Sequence, residues 1–194
     1  MYAYLEGKFT FKSPALVYVD VNGVGFEVNI SLHTFLEIQS KEGGKLFTHL
    51  QVKEDAHTLF GFSGQHEKDI FLLLTSVSGV GAATARMMLS SLKPDEVAKA
   101  ILHNDVRLLE SVKGIGKKTA ERLVLELKDK VGKNSSVSDN LPSVGNSMEQ
   151  DALVALTALG ISKGQAELSI QKIIRAEPSI NKLEDLIKKA LKAI

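Results

Sequence analysis

"SVSGVGAATA" (Ser76–Ala85) and "SVKGIGKKTA" (Ser111–Ala120) follow one template, S-V-x-G-[VI]-G-x-x-T-A, repeated 35 positions apart. Each lies between an apolar run and a second apolar-periodic stretch. A phosphate-binding P-loop would need G-x-x-x-x-G-K-[ST], but Lys118 follows Gly116-Lys117 and Ser111 stands where the first glycine belongs. A dinucleotide fingerprint would need a third glycine and a preceding strand, whereas Thr84 and Thr119 occupy that position and helical patterns precede both copies. What remains is a helix-hairpin-helix. Gly79 with Gly81, and Gly114 with Gly116, let the backbone turn sharply, with positive φ where needed. Val80 or Ile115 then points down to pin the turn in the core. Backbone N–H groups are left facing outward at a helix N-terminus, where unpaired donors and the helix dipole favour an anion. A nucleic-acid phosphate fits, and a main-chain contact reads no base sequence.

The two copies differ in charge. Lys117 and Lys118 in the second stand where the first has Ala82 and Ala83, leaving Arg86 as the first copy's nearest cation. Residues 1–63 carry 5 basic and 7 acidic side chains, residues 64–133 carry 12 and 9, and residues 134–194 carry 7 of each. Ser111–Lys133 concentrates 7 basic residues, Arg122 among them, against 3 acidic ones. A patch of that kind is an anion-binding surface or a solvated helix face. The chain of 194 residues has a net charge of +1 and no cysteine, which excludes disulfides and thiolate metal sites. The opening "MYAYLEGKFTFKS" lacks a signal peptide's apolar core, and no run reaches the roughly 18 apolar residues of a membrane span. A cytoplasmic protein is expected.

Around the hairpins the chain falls into blocks. "ALVYVDV" and "VGFEVNI", split by the turn signal Asn22-Gly23, are followed by "KLFTHLQVKED" and "HTLFGF". About five short strands are expected, closed or sandwiched. His33, His49 and His57 sit at spacings that make no metal or catalytic pattern. "QHEKDIFLLLTSV" opens a helical block, and Pro94 with Asp95-Glu96 starts a further helix. Gly, Ser, Asn, Asp and Pro dominate 132–147, which reads as a flexible tether. Three short helices follow, Gly160 ending the first and Pro178-Ser179 separating the others. The expected domains are 1–63, 64–131 and 148–194, joined by the 132–147 linker.

With these residues in view, the chain resembles the RuvA family, the Holliday-junction-binding subunits of the bacterial branch-migration complex. The likeness rests on "VNGVGFEV", "FTHLQVKEDAHTLFGF", "SGVGAATARMML", "LLESVKGIGKKTAERLVLELKD" and "ALVALTALGISKGQAELSI", in that order. The resemblance implies an α+β multidomain fold: an N-terminal OB-fold β-barrel, a central domain of two helix-hairpin-helix motifs, and a C-terminal three-helix, UBA-like domain. It implies a homotetramer, or an octamer on DNA, that binds four-way junctions. An AAA+ hexameric, RuvB-like motor is the implied partner, with a junction-resolving nuclease as a further one. DNA contact falls to Gly79, Val80, Gly81, Ala82, Arg86, Gly114, Ile115, Gly116, Lys117, Lys118 and Arg122. Glu54 and Asp55 fall in the family's acidic pin, which repels phosphates and holds the crossover open. The motor-binding surface aligns with Leu156, Leu159, Ile161 and Leu191, for each of which core packing is the competing reading. Family members commonly place a lysine in the first hairpin, and this chain departs from that at Ala82-Ala83.

No catalytic residue, metal or cofactor is expected. A glycosylase- or nuclease-like enzyme subunit is the alternative, since such enzymes share the hairpin motif. Glu121, Glu126 and Asp129 after the second hairpin are spaced for surface pairs, and Glu54-Asp55 has no third metal ligand. An OB-fold single-strand-binding module would stack bases on exposed aromatics. Tyr18, Phe26, Phe47 and Phe60 lie instead in apolar strands, where core packing is expected.

Overall fold

The computed structural model describes residues 2–138, 148–177 and 180–193. Five strands, β1 (Tyr4–Ser13), β2 (Leu16–Val21), β3 (Val24–Ile30), β4 (Gly43–Val52) and β5 (His57–Phe62), close into a barrel in the order β1-β2-β3-β5-β4. Alternation puts Leu5, Phe9, Val17, Val19, Val28, Ile30, Leu46 and Leu59 inside. Asn22 (φ 51) and Gly23 (φ 88) make the two-residue turn, with the Gly23 N–H on Asp20 Oδ1 at 2.8 Å. Closure comes where β5 runs parallel to β3, pairing Asn29 with Phe60 and Ile30 with Gly61. Only glycine fits at 61, because a Cβ there would lie 2.5 Å from Val28 Cγ1.

Tyr18 departs from the expected core packing. It is 39% exposed and its ring lies 5.0 Å from that of the exposed Phe11. The cause is the strand period: Tyr18 lies between the buried Val17 and Val19 and so points outward. Phe60 is buried as expected, and Phe26 and Phe47 are half-buried.

A short helix, α1 (Leu32–Ile38), joins β3 to β4, capped by Ser31 Oγ accepting the Thr34 N–H at 3.0 Å. The helical block then runs α2 (Gln65–Thr75), α3 (Ala82–Ser91), α4 (Pro94–Leu102), α5 (Val106–Glu110) and α6 (Lys117–Ser138). Pro94 is the first residue of α4, and Glu96 Oε2 accepts the Lys93 N–H at 2.8 Å. Phe71, Leu74, Met88, Leu89, Leu109, Leu123 and Leu127 fill the block's core, which also takes in Phe60 and Phe62 of β5. Phe71 stacks 5.1 Å from Phe60 and 4.9 Å from Phe62. Barrel and helical block therefore share a core and lie in one compact unit, Met1–Val137.

The expected tether does not begin at residue 132. Helix α6 continues to Ser138, taking in the tether's first seven residues. A single mid-helix glycine costs only about 1 kcal/mol, and Gly132 sits against Leu102, whose Cδ2 a Cβ would meet at 3.7 Å. The rest of the stretch expected to be a tether, 139–147, and the expected break at Pro178-Ser179 lie outside the described residues.

The second unit, Ser138–Ile194, contains α7 (Met148–Ala158), α8 (Lys163–Ala176) and α9 (Leu183–Lys192). Ala152, Leu156, Ala166, Ile170, Leu186 and Ala190 form its centre. Gly160 (φ 91) ends α7, with the Ile161 N–H returning to the Leu156 carbonyl at 3.1 Å and the Gly160 N–H to the Thr157 carbonyl at 3.0 Å.

Candidate nucleic-acid interface

The hairpins reproduce one another bond for bond. Gly79 and Gly114 turn the chain at φ 93 and 94. Just before them, Ser76 Oγ donates to the Leu73 carbonyl at 2.7 Å and Ser111 Oγ to the Leu108 carbonyl at 2.6 Å. Both serine N–H groups reach back four residues at 3.1 Å, to Leu72 and to Arg107. Val80 N–H to Val77 and Ile115 N–H to Val112 are each 3.0 Å. The side chains of Val80 and Ile115 are 4% and 5% exposed, pinned in the core. They shape the turn rather than face a ligand.

Each turn presents main-chain donors. The first intrahelical bonds are Ala85 N–H to Gly81 and Ala120 N–H to Gly116, both 2.9 Å. The N–H groups of Ala82, Ala83 and Thr84, and of Lys117, Lys118 and Thr119, thus have no intrahelical acceptor. Among the described residues no side chain caps α3 at Gly81. The positive end of each helix dipole adds to these donors.

The cations divide as follows. Lys113, Lys117 and Lys118 are exposed around the second turn. Arg122 is exposed one turn further, its Nε paired with Glu126 Oε1 at 2.6 Å, which offsets part of its charge. At the first turn Ala83 is exposed but Ala82 is buried. Arg86 is half-buried one turn into α3 and is bonded to the barrel. Its Nη1 donates to the Ala15 carbonyl at 3.1 Å and to Asn29 Oδ1 at 2.7 Å, both on the barrel.

Glu54 and Asp55 are exposed at the tip of the β4–β5 connection, which the Lys53 N–H closes on the Ala56 carbonyl at 2.9 Å. In the second unit, Leu159 and Leu191 are exposed at 63% and 41%, while Ile161 packs against the core. Leu156 is fully buried between helices and cannot meet a partner without unfolding the unit, so core packing is its role. Leu159 and Leu191, for which core packing is the competing reading, both lie outside this core.

Sequence reasoning missed a buried polar node. Glu67 of α2 is 2% exposed, and its carboxylate accepts hydrogen bonds from Ser31 Oγ and, at 2.6 Å, from Thr34 Oγ1. Thr34 Oγ1 also accepts the Ser63 N–H at 3.0 Å. The only signal in the sequence is a Ser-x-x-Thr, Ser31 to Thr34, across the start of a seven-residue helix. Among the described residues no group of His, Asp and Glu side chains is placed to hold a metal ion, and no helix is long and apolar enough to cross a membrane.

Three family models match: RuvA N terminal domain over residues 1–61, SAM-like helix-hairpin-helix tandem over 71–129, and RuvA C-terminal domain over 147–194. A protein of Cytophaga hutchinsonii named Holliday junction branch migration complex subunit RuvA is 48% identical over 197 residues, covering 99% of each chain. Its counterpart of the same name in Christiangramia forsetii is 48% identical over 194 residues, 100% of each chain. One from Bacteroides fragilis, again so named, is 39% identical over 202 residues, 100% of each.

Proposed function

Because this chain belongs to the RuvA family, we propose that it binds four-way DNA junctions by their shape, holds them open, and brings an ATP-driven motor to them for branch migration. The observation that carries this reading is the pair of bond-for-bond equivalent hairpins, each offering main-chain donors at a helix N-terminus. Two such clamps on one compact unit suit two stretches of phosphate backbone across one groove of a duplex arm. Lys117, Lys118 and Arg122 supply the attraction, and the first hairpin supplies donors and spacing.

Selectivity for junctions follows from multiplicity. As a tetramer, four sequence-blind pairs of clamps, one pair to an arm, reach full occupancy only where four arms radiate together. Glu54 and Asp55 from each subunit meet at the crossover, where negative charge repels phosphates and keeps strands from pairing in place. The exposed Leu159 and Leu191 offer apolar surface to the motor, and the 139–147 segment connects that unit to the DNA-binding one. The chain itself performs no bond-breaking step, and ATP hydrolysis belongs to the partner.

A salt-titrated gel shift without nucleotide or metal, comparing a four-way junction with linear duplex of equal arm length, tests this reading. The expected result is a junction preference of about a hundredfold, with no cleavage product and affinity falling steeply with salt. Equal affinity for both DNAs would remove the four-fold argument, and a cleavage product would restore the enzyme alternative.

A further inference from the structure

The two hairpins are built alike but fastened differently. The first is tied to the barrel from both sides. From α2, the buried Glu67 accepts from Ser31 and Thr34 at the start of α1. From α3, Arg86 Nη1 bonds the Ala15 carbonyl and Asn29 Oδ1. One turn further along α3, Ser90 Oγ accepts the Leu32 N–H at 3.0 Å while donating to the Arg86 carbonyl at 2.8 Å. The second hairpin has no counterpart. Among the described residues, the hydrogen bonds of Val106–Lys130 stay within the helical block, as Arg122–Glu126 and Lys128–Asn104 illustrate.

These ties lead toward the acidic pin. Asn29 belongs to β3, which pairs with β5 through Asn29 and Phe60. Strand β5 begins at His57, two residues after Asp55. A path of hydrogen bonds and covalent chain therefore runs from the first hairpin through α3, Arg86 and β3 to the strand that carries the pin.

We propose that Arg86, held by Asn29 and Ala15 and supported by Ser90, is a positioning residue for junction selectivity rather than a contact to DNA. It sets the distance between the first hairpin, which grips an arm, and the pin, which must stand off the crossover phosphates. The proposal rests on the junction-binding reading above. A linear duplex is gripped by the hairpins and has no crossover against which the pin must be set, so it feels the pin only as general repulsion and its affinity does not depend on the brace. A junction meets hairpins and pin together. Repulsion between carboxylate and phosphate changes steeply over a screening length of about 8 Å, so a barrel free to rock by a few ångströms loses the shared geometry. Pre-organisation of this kind contributes to affinity only when both elements are engaged.

The test compares full-length Asn29→Ala, Ser90→Ala, Arg86→Ala and Arg86→Lys with the wild type. Junction and duplex affinity are measured over a salt series, and urea midpoints report folding. For Asn29→Ala, duplex affinity and its salt slope should stay within about twofold of wild type, while the junction-to-duplex ratio falls about fivefold or more. Ser90→Ala, which leaves the guanidinium in place, should move the ratio in the same direction with a near-native midpoint. Arg86→Lys should fail to restore it, because both bonds leave the single Nη1 and a lysine ammonium ends one bond short of that atom on a flexible stem.

Loss of duplex and junction affinity together in Arg86→Ala, with the salt slope reduced by about 0.9 and rescued by Lys, would make Arg86 a phosphate contact and overturn the proposal. A wild-type ratio kept in all four variants would overturn it alone, leaving junction binding intact. A wild type with no junction preference would overturn the underlying reading and this proposal with it.

Discussion

Glu67 and His49 are ionisable side chains taken into the fold where the helical block meets the barrel. The Ser31 and Thr34 hydroxyls at the start of α1 donate to the two oxygens of Glu67, so that this buried side chain keeps polar partners. His49 of β4 has its ring 5.9 Å from Phe71. Burial lowers its pKa below the usual 6.5, and the neighbouring Lys68 charge lowers it further. The folded state thus favours neutral imidazole, while the unfolded chain takes up its proton at the ordinary value. The contribution of His49 is therefore fully present above pH 6.5 and is lost as pH falls through the depressed folded value. His49→Gln should flatten that part of the stability profile, read as urea midpoints between about pH 5 and 7.5. A profile unchanged by the substitution would assign the acid sensitivity to another group.

At the scale of elements, the hairpins explain how a sequence can announce a site. Gly79 and Gly114 adopt φ 93 and 94 where a Cβ would meet nothing within 4 Å, so backbone conformation rather than space requires glycine. Requirements of that kind are local, and so they show in the sequence, as does the Asn22-Gly23 turn. Contacts between distant segments do not. Arg86 is the first hairpin's nearest cation in sequence, five residues beyond Gly81, and only the fold brings Ala15 and Asn29 to it. Leu156 and Leu159 lie on one helical stretch, but one is fully buried and the other is 63% exposed, a difference set by where α8 and α9 pack. Helix α1 is too short for periodicity to reveal. The charge asymmetry between hairpins is testable at this scale. Lys117→Ala with Lys118→Ala should reduce the salt slope of duplex binding by about 1.8, and Ala83→Lys should raise it by about 0.9. Ala83 is the position to use, because Ala82 is 6% exposed and its replacement by lysine would disturb the core. An unchanged slope in the lysine-to-alanine variant would move the electrostatic clamp away from the second hairpin.

Over the whole molecule, the sign of charge divides by role. Residues 1–63 carry two more acidic than basic side chains, and residues 64–133 carry three more basic than acidic. One compact unit thus presents an attractive surface at the second hairpin and a repulsive tip at Glu54-Asp55. A binder selected for affinity alone would gain nothing from exposed carboxylates on its DNA-facing unit, since each like-charge approach costs energy that salt only partly screens. The arrangement makes sense if affinity for the centre must be kept low while affinity for the arms is high. Strands can then pass through the crossover instead of resting there. Glu54→Lys with Asp55→Lys reverses two charges per subunit at solvent-exposed positions, where substitution should leave the urea midpoint near that of the wild type. The double variant should bind linear duplex more tightly and with a steeper salt slope, because it adds two cations. In the presence of the motor and ATP it should move junctions more slowly, because attraction at the crossover replaces repulsion. Those two readouts must shift in opposite directions. Tighter duplex binding with unimpaired migration would mean that the tip is near DNA but does not govern strand movement. Unchanged duplex binding and unchanged migration would place the tip away from DNA and remove the pin from the mechanism.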